Sequence, residues 1–173
     1  KTPKVEISWS FPDLLERLKA ATPRLGKIVA ATLQTQRGMI FDQEGAHNGR
    51  SKWEPLKFRE WQILSLTGTL RRSVGPGALG MPGANGYVKI SGSISDQEVT
   101  LGTKLKYAAV HNYGAVIRPT KAKALRWEDA GGRVFFRKKV TIPARPFMDI
   151  TEEDRHELNV TLAKAVARIL NGE

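Results

Sequence analysis

The chain has 173 residues, no cysteine, a net charge of +11 and an isoelectric point near 10.1. That length favours one domain burying roughly 70% of its unfolded surface, so no disulfide or metal staple is needed, and the lack of thiols excludes disulfide and thiolate chemistry. No apolar run reaches the ~18 residues of a membrane span and no charged-then-apolar leader opens the chain, which predicts a soluble, unexported protein.

The positive charge predicts attraction to a polyanion: nucleic acid, an acidic protein surface or anionic lipid. It is unevenly spread. Residues 104–145 hold eleven basic side chains against Glu128 and Asp129, whereas residues 149–157 hold five acidic ones and a single arginine. A basic middle and an acidic end give the chain complementary surfaces for head-to-tail docking of copies of itself, although charge runs also serve simply as solvated faces.

Taken in order, residues 4–8 alternate Val5 and Ile7 with polar neighbours, the period of a half-buried strand. Ser10 then caps a helix with Pro12 in its first turn and Leu14, Leu15 and Leu18 on its apolar side. Pro23 is expected to break or kink it, after which Leu25, Ile28, Val29, Leu33 and Ile40 carry a second helix to Phe41. Residues 42–51 form a polar loop. Its Asp42, Glu44 and His47 match neither an EF-hand nor a zinc spacing, so a solvated loop is expected there.

Residues 53–73 are the densest apolar stretch. Pro55 stiffens an extended corner that Trp53 and Leu56 anchor to a core. Ile63, Leu66, Leu70 and Val74 recur at helical spacing, Thr67 is placed to cap that helix, and Arg71, Arg72 and Ser73 are expected near the surface. Residues 75–86 read as a flexible surface loop. Their G-x-G-x-x-G text lacks the preceding strand and following helix that would make it a phosphate cradle.

Residues 87–91 and 97–101 alternate as a β-hairpin about Ser93 to Asp96. A short helix follows at 107–113, stopped by Gly114, with His111 a packed or hydrogen-bonded side chain. Strands are expected at 115–117, 125–127 and 134–140, the last two joined through Gly131-Gly132 into a basic arm spanning 115–140. Trp127, Phe135 and Phe136 in that arm fit either an amphipathic hairpin facing the core or a platform for stacking single-stranded nucleic acid. Residues 142–148 form an extended connector anchored by Phe147. Thr151 and Asp154 then open a closing helix whose apolar side is Leu158, Leu162, Val166, Ile169 and Leu170.

Four pieces of this chain recur together in one order. They are Trp53-x-Pro55-Leu56; Leu64 leading into Thr67-Gly68-x-Leu70-x-x-Ser73; Leu101-Gly102-Thr103 with Tyr107-Ala108-x-x-His111-x-x-Gly114; and Ile142-Pro143-Ala144-Arg145-Pro146-Phe147. In these the chain resembles the virion-morphogenesis or tail-completion family of Mu-like and P2-like phages. The resemblance implies an α+β protein, an antiparallel sheet packed with N- and C-terminal helices. The chain is expected to be a single domain over 1–173 with the basic hairpin arm protruding, and that arm and the loop at 75–86 are where family members are expected to vary. It implies a structural neck protein forming a ring, a hexamer, at the head–tail junction of the virion after assembly in the host cytoplasm. Its partners would be its own copies, the adaptor or stopper beside it and the tail tube or terminator. No catalysis, cofactor, metal or membrane is implied.

Within that reading Arg118, Lys121, Lys123, Arg133, Arg137, Lys138 and Lys139 are the candidate contacts, either to DNA in a channel or to an acidic partner. Two alternatives stand beside it: a tail terminator capping the tail tube, and a non-enzymatic nucleic-acid-binding protein. An enzyme is disfavoured because no paired carboxylates, Ser/His/Asp set or metal spacing is present.

Overall fold

The computed structural model describes residues 11–56, 62–76, 85–128 and 131–172. The strand expected at 4–8, its Ser10 cap and residues 77–84 of the glycine-rich loop lie outside these. The first element, α1 (Phe11–Asp42), is one helix of 32 residues instead of the two expected on either side of Pro23. Proline removes one rung of the helical ladder, the bond to the carbonyl of Lys19. Lys19 and Pro23 both lie on the exposed side, so that carbonyl is left facing water. Across the helix Leu25, Ala30, Leu33, Ile40 and Phe41 are buried.

The next described helix is α2 (Thr69–Val74), shorter than the apolar stripe suggested. Ile63 and Val74 are buried at its two ends, but Leu66 is 58% exposed because residues 62–68 turn instead of winding. Leu64 sits at φ 59, in the left-handed region. The cap of α2 is Gly68, at φ 66, and not Thr67, whose Oγ1 only receives the Thr69 N–H at 3.4 Å. Ser73 is buried, contrary to the surface position expected, and its Oγ donates to the Leu70 carbonyl at 2.7 Å.

The hairpin expected next is present: β1 (Gly86–Ser91) pairs antiparallel with β2 (Glu98–Thr103), Ile90 facing Val99 and Tyr87 facing Gly102. It lies against α1 and α2. The Tyr87 ring covers Gly102 so closely that a Cβ there would come within 2.4 Å of it, which is why residue 102 has no side chain. A one-turn helix, α3 (Ala108–Tyr113), ends at Gly114 with φ 72 and ψ 165, a conformation reserved for glycine.

The single sheet expected is replaced by small ones. The described strands form three separate two-stranded antiparallel pairs. β3 (Ala115–Ile117) pairs not within the basic arm but with β6 (Val140–Ile142), Ile117 facing Val140. Between them β4 (Leu125–Glu128) and β5 (Val134–Arg137) make a second ribbon, with Trp127 facing Phe135. The strand expected over 134–140 therefore divides at Lys138-Lys139, because its two halves have different partners. The closing helix, α4 (Glu152–Leu170), packs along α1.

One apolar cluster joins these pieces: Ile40 and Phe41 of α1, Trp53, Ile63, Leu70 and Val74, Ala108 and Phe147. Phe41 stands edge-on to Trp53 at 5.6 Å and tilted against Phe147 at 5.3 Å. Each such side chain contributes about 1.5–3 kcal/mol by leaving water.

Next to this cluster lies a buried ionic group. Asp154 is fully buried at the third position of α4, where it completes the capping box with Thr151. Its Oδ2 accepts from Arg37 Nη2 at 2.7 Å and from Arg50, and its Oδ1 accepts from Asn48 Nδ2 at 2.8 Å. Arg37, also buried, donates to the carbonyls of Phe147 and Asp149 as well. Burial alone would raise the Asp154 pKa. The hydrogen bonds from Arg50 and Asn48 and the two guanidinium charges outweigh it and leave about 2. Arg37 shows the opposing cost: burial and the like charge of Arg50 lower it in spite of Asp154.

Removing one member of such a group strands buried charge. Asp154→Ala is expected to lower the unfolding free energy by about 3–5 kcal/mol in urea titrations. The depressed carboxyl stabilises the fold fully above its unfolded pKa near 3.8 and ceases to do so as pH falls through about 2. Asp154→Asn should accordingly flatten the acid limb of stability between those values.

Candidate functional site

The four sequence pieces that carry the resemblance meet at one junction. The Trp53 indole Nε1 donates to the carbonyl of Pro146 at 3.1 Å, and Arg145 Nη2 donates to the carbonyl of Glu54 at 3.0 Å. From the other side the Arg145 backbone N–H donates to the carbonyl of His111 at 2.8 Å. Asn112 Oδ1 accepts the N–H groups of both Phe147 and Met148, at 2.9 and 3.1 Å. Gly114 lets this strap pass close, since a Cβ there would sit 2.9 Å from the nitrogen of Ala144. Trp53, Phe147 and Arg145 are buried, while Pro55 and Pro146 face outward and Pro143 is half-buried.

Two grooves open on either side of the junction, and Leu56 and His111 line both. One, of about 420 Å³, is walled by Leu64, Leu66, Leu70 and Tyr107. The other, of about 300 Å³, runs along Pro55, Val140, Pro143 and Arg145. His111 stands edge-on to Tyr107 at 6.0 Å. Burial and the neighbouring Arg145 charge lower its pKa, which keeps the imidazole neutral at physiological pH. His111 is thus a packed side chain, and its backbone carbonyl carries the tie to Arg145.

The polar loop at 42–51 is used structurally. Asp42 holds Arg71 at 2.8 Å, and Glu44 pairs with Lys52 at 3.2 Å and accepts the Ile63 N–H.

The basic residues lie elsewhere. Arg118, Lys121 and Lys123 fall between β3 and β4, Arg133 precedes β5, Arg137 ends it, and Lys138 and Lys139 lead into β6; all seven are exposed. Trp127 and Phe135 stack on each other at 5.7 Å and 16°, half-buried, and neither joins the buried core cluster. The reading that turned these aromatics toward the core is corrected: they cover each other across the ribbon. Phe136 points from the opposite face and is 58% exposed.

Sequence reasoning missed the Arg37–Asp154–Arg50 group. The available signal was position: Arg37 lies four residues after Leu33 and three before Ile40, on the stripe that faces inward.

Compared with known proteins, the chain matches the phage virion morphogenesis family over residues 6–167. The chain belongs to this family. It is also similar to the Mu-like prophage FluMu G protein 2 of Haemophilus influenzae, at 27% identity over 158 residues covering 90% of this chain and 88% of that protein. No solved structure matches it. Membership assigns this virion-morphogenesis protein a part in phage particle assembly.

In this family member Asn112 is the pin of the junction, because one oxygen serves two buried backbone donors. Asn112→Ala leaves both N–H groups without that acceptor and should cost about 2–4 kcal/mol, read as a lowered urea midpoint with unchanged far-UV circular dichroism in the native range.

Proposed function

We propose that the chain is a non-enzymatic structural protein of the phage neck, assembling with its own copies into a ring at the head–tail junction. The observation that carries this reading is the family match across nearly the whole chain, joined to the way the motif residues are used. Trp53, Arg145, Asn112 and Phe147 satisfy one another internally and stiffen a block. What the block offers outward, among the described residues, is short ribbons with unpaired edges, exposed apolar side chains and cations. Unpaired edges and exposed apolar groups are what a subunit shows before neighbours cover them.

The seven exposed basic residues suit non-specific contact with packaged DNA or with an acidic protein surface on an adjoining ring, since phosphate neutralisation needs no base readout. The partners are then further copies, the adaptor or stopper on the head side and the tube or terminator on the tail side. Within the described residues no helix is long and apolar enough to cross a membrane. A second reading, a terminator that caps the tail tube, shares all of these supports and differs only in position.

Two measurements test the proposal. Phage lacking the gene should accumulate finished heads and tails that do not join, and labelled protein should appear at their junction in complemented virions. Label at the free end of isolated tails selects the terminator, and mature particles without the polypeptide exclude both. Duplex DNA titrated at several salt concentrations should show weak binding with a steep log–log slope. Tight binding that persists at physiological salt would instead favour the nucleic-acid-binding alternative.

A further inference from the structure

Among the described residues the β4–β5 ribbon forms a sheet of its own, hydrogen-bonded to no third strand. A lone two-stranded ribbon is marginally stable in water, so one that carries aromatic side chains calls for a surface to lie on. Its register places Phe136 and Val134 on one face, beside Arg126 and Glu128, which pair with each other at 3.7 Å, with Trp127 and Phe135 stacked on the other. Lys138, exposed, directly follows β5.

The same molecule carries a surface of matching character. Between β2 and α4 two adjoining hollows, of about 470 and 270 Å³, share Leu33, Val99 and Ile150. Ile94 and Ile150 stand at this trough with 39% and 47% of their surface exposed. Its rim is acidic. Asp96 and Glu98 line the hairpin bank, while Asp149, beside Ile150 on the helix bank, is paired with Arg50 at 3.6 Å. Arg37 also borders the trough, but its charge is matched by Asp154.

We infer that the β4–β5 ribbon of one copy seats in the β2–α4 trough of the next. Phe136 and Val134 enter the apolar floor, and Lys138 meets the carboxylates of Asp96 and Glu98 on the hairpin bank. The two surfaces belong to different elements, so the contact is head to tail, the kind that propagates around a closed ring. This deepens the neck-ring reading and rests on it for closure. The pairing of ribbon with trough stands on the charge and apolar complementarity just described.

The chain contains no cysteine, so introduced thiols report without background. Copies carrying Phe136→Cys, with a mass tag, are mixed with copies carrying Ile150→Cys and oxidised mildly at a concentration where the wild type self-associates. The mixed disulfide dimer should exceed either like-with-like dimer several-fold. Equal yields, or a wild type that stays monomeric at every concentration, overturn the contact. So does a Val5→Cys, Ile150→Cys chain that closes on itself in preference, because the trough then belongs to its own N-terminal segment. As a second readout, Lys138→Glu should weaken self-association about tenfold and Glu98→Lys should restore it; no rescue counts against the charge pairing. If cross-linking fails while labelled protein still sits at the head–tail junction, the ribbon contact falls and the neck reading remains. The converse pattern separates them in the other direction.

Discussion

A single carboxylate holds this fold together. Asp154 is buried between Arg37 of the long first helix and Arg50 of the loop that follows it, and it also begins the last helix through its exchange with Thr151. Three segments far apart in the chain are thereby fixed at one point. Gln36 strengthens the same junction by donating to the carbonyl of Asp154 and to Glu157. A hydrophobic seam between two helices tolerates sliding by a turn, whereas the charged hydrogen bond from Arg37 Nη2 to Asp154 Oδ2 has a defined length and direction and does not. The ionic group therefore sets the register of α4 on α1, and burial of Ile169 and the half-burial of Leu158 and Leu162 follow from that register.

The tryptophan corner and the proline-rich strap stand in a similar relation on the other side of Phe41. Trp53 bonds Pro146, Arg145 bonds Glu54, and Asn112 gathers the backbone of Phe147 and Met148. The strap has prolines where a ladder would need donors, so side chains and backbone groups from outside any sheet supply its partners. The stiff body that results explains how three small ribbons can be held at its surface without merging into one continuous sheet.

Much of the local structure was legible in the sequence. The β1–β2 hairpin followed from strict alternation, the Thr151–Asp154 box from its spacing, and the Gly114 stop from the need for positive φ. Trp53 and Phe147 proved to be anchors because large aromatic groups beside prolines have few other places to go. The failures have equally local causes. Pro23 was read as a break, yet on the exposed side of a helix its missing N–H leaves a carbonyl that water can serve. Thr67 was read as the cap, while a left-handed Gly68 turned the chain first. β3 and β6 are three residues each and lie far apart in sequence, so no pattern within either could announce their pairing. The partners of Asp154 were invisible for the same reason: a capping aspartate looks identical whether its second face meets water or two arginines.

The β3–β6 pair brings Ile117 opposite Val140, so the chain leaves and rejoins the body at almost the same place. Everything from 118 to 139 is then a cassette inserted at a closed doorway. Its length, charge and aromatic content can be exchanged without altering the frame around it, and the entropic cost of lengthening such a loop rises only with the logarithm of its size. The frame fixes where this segment begins and ends and leaves its content free to vary.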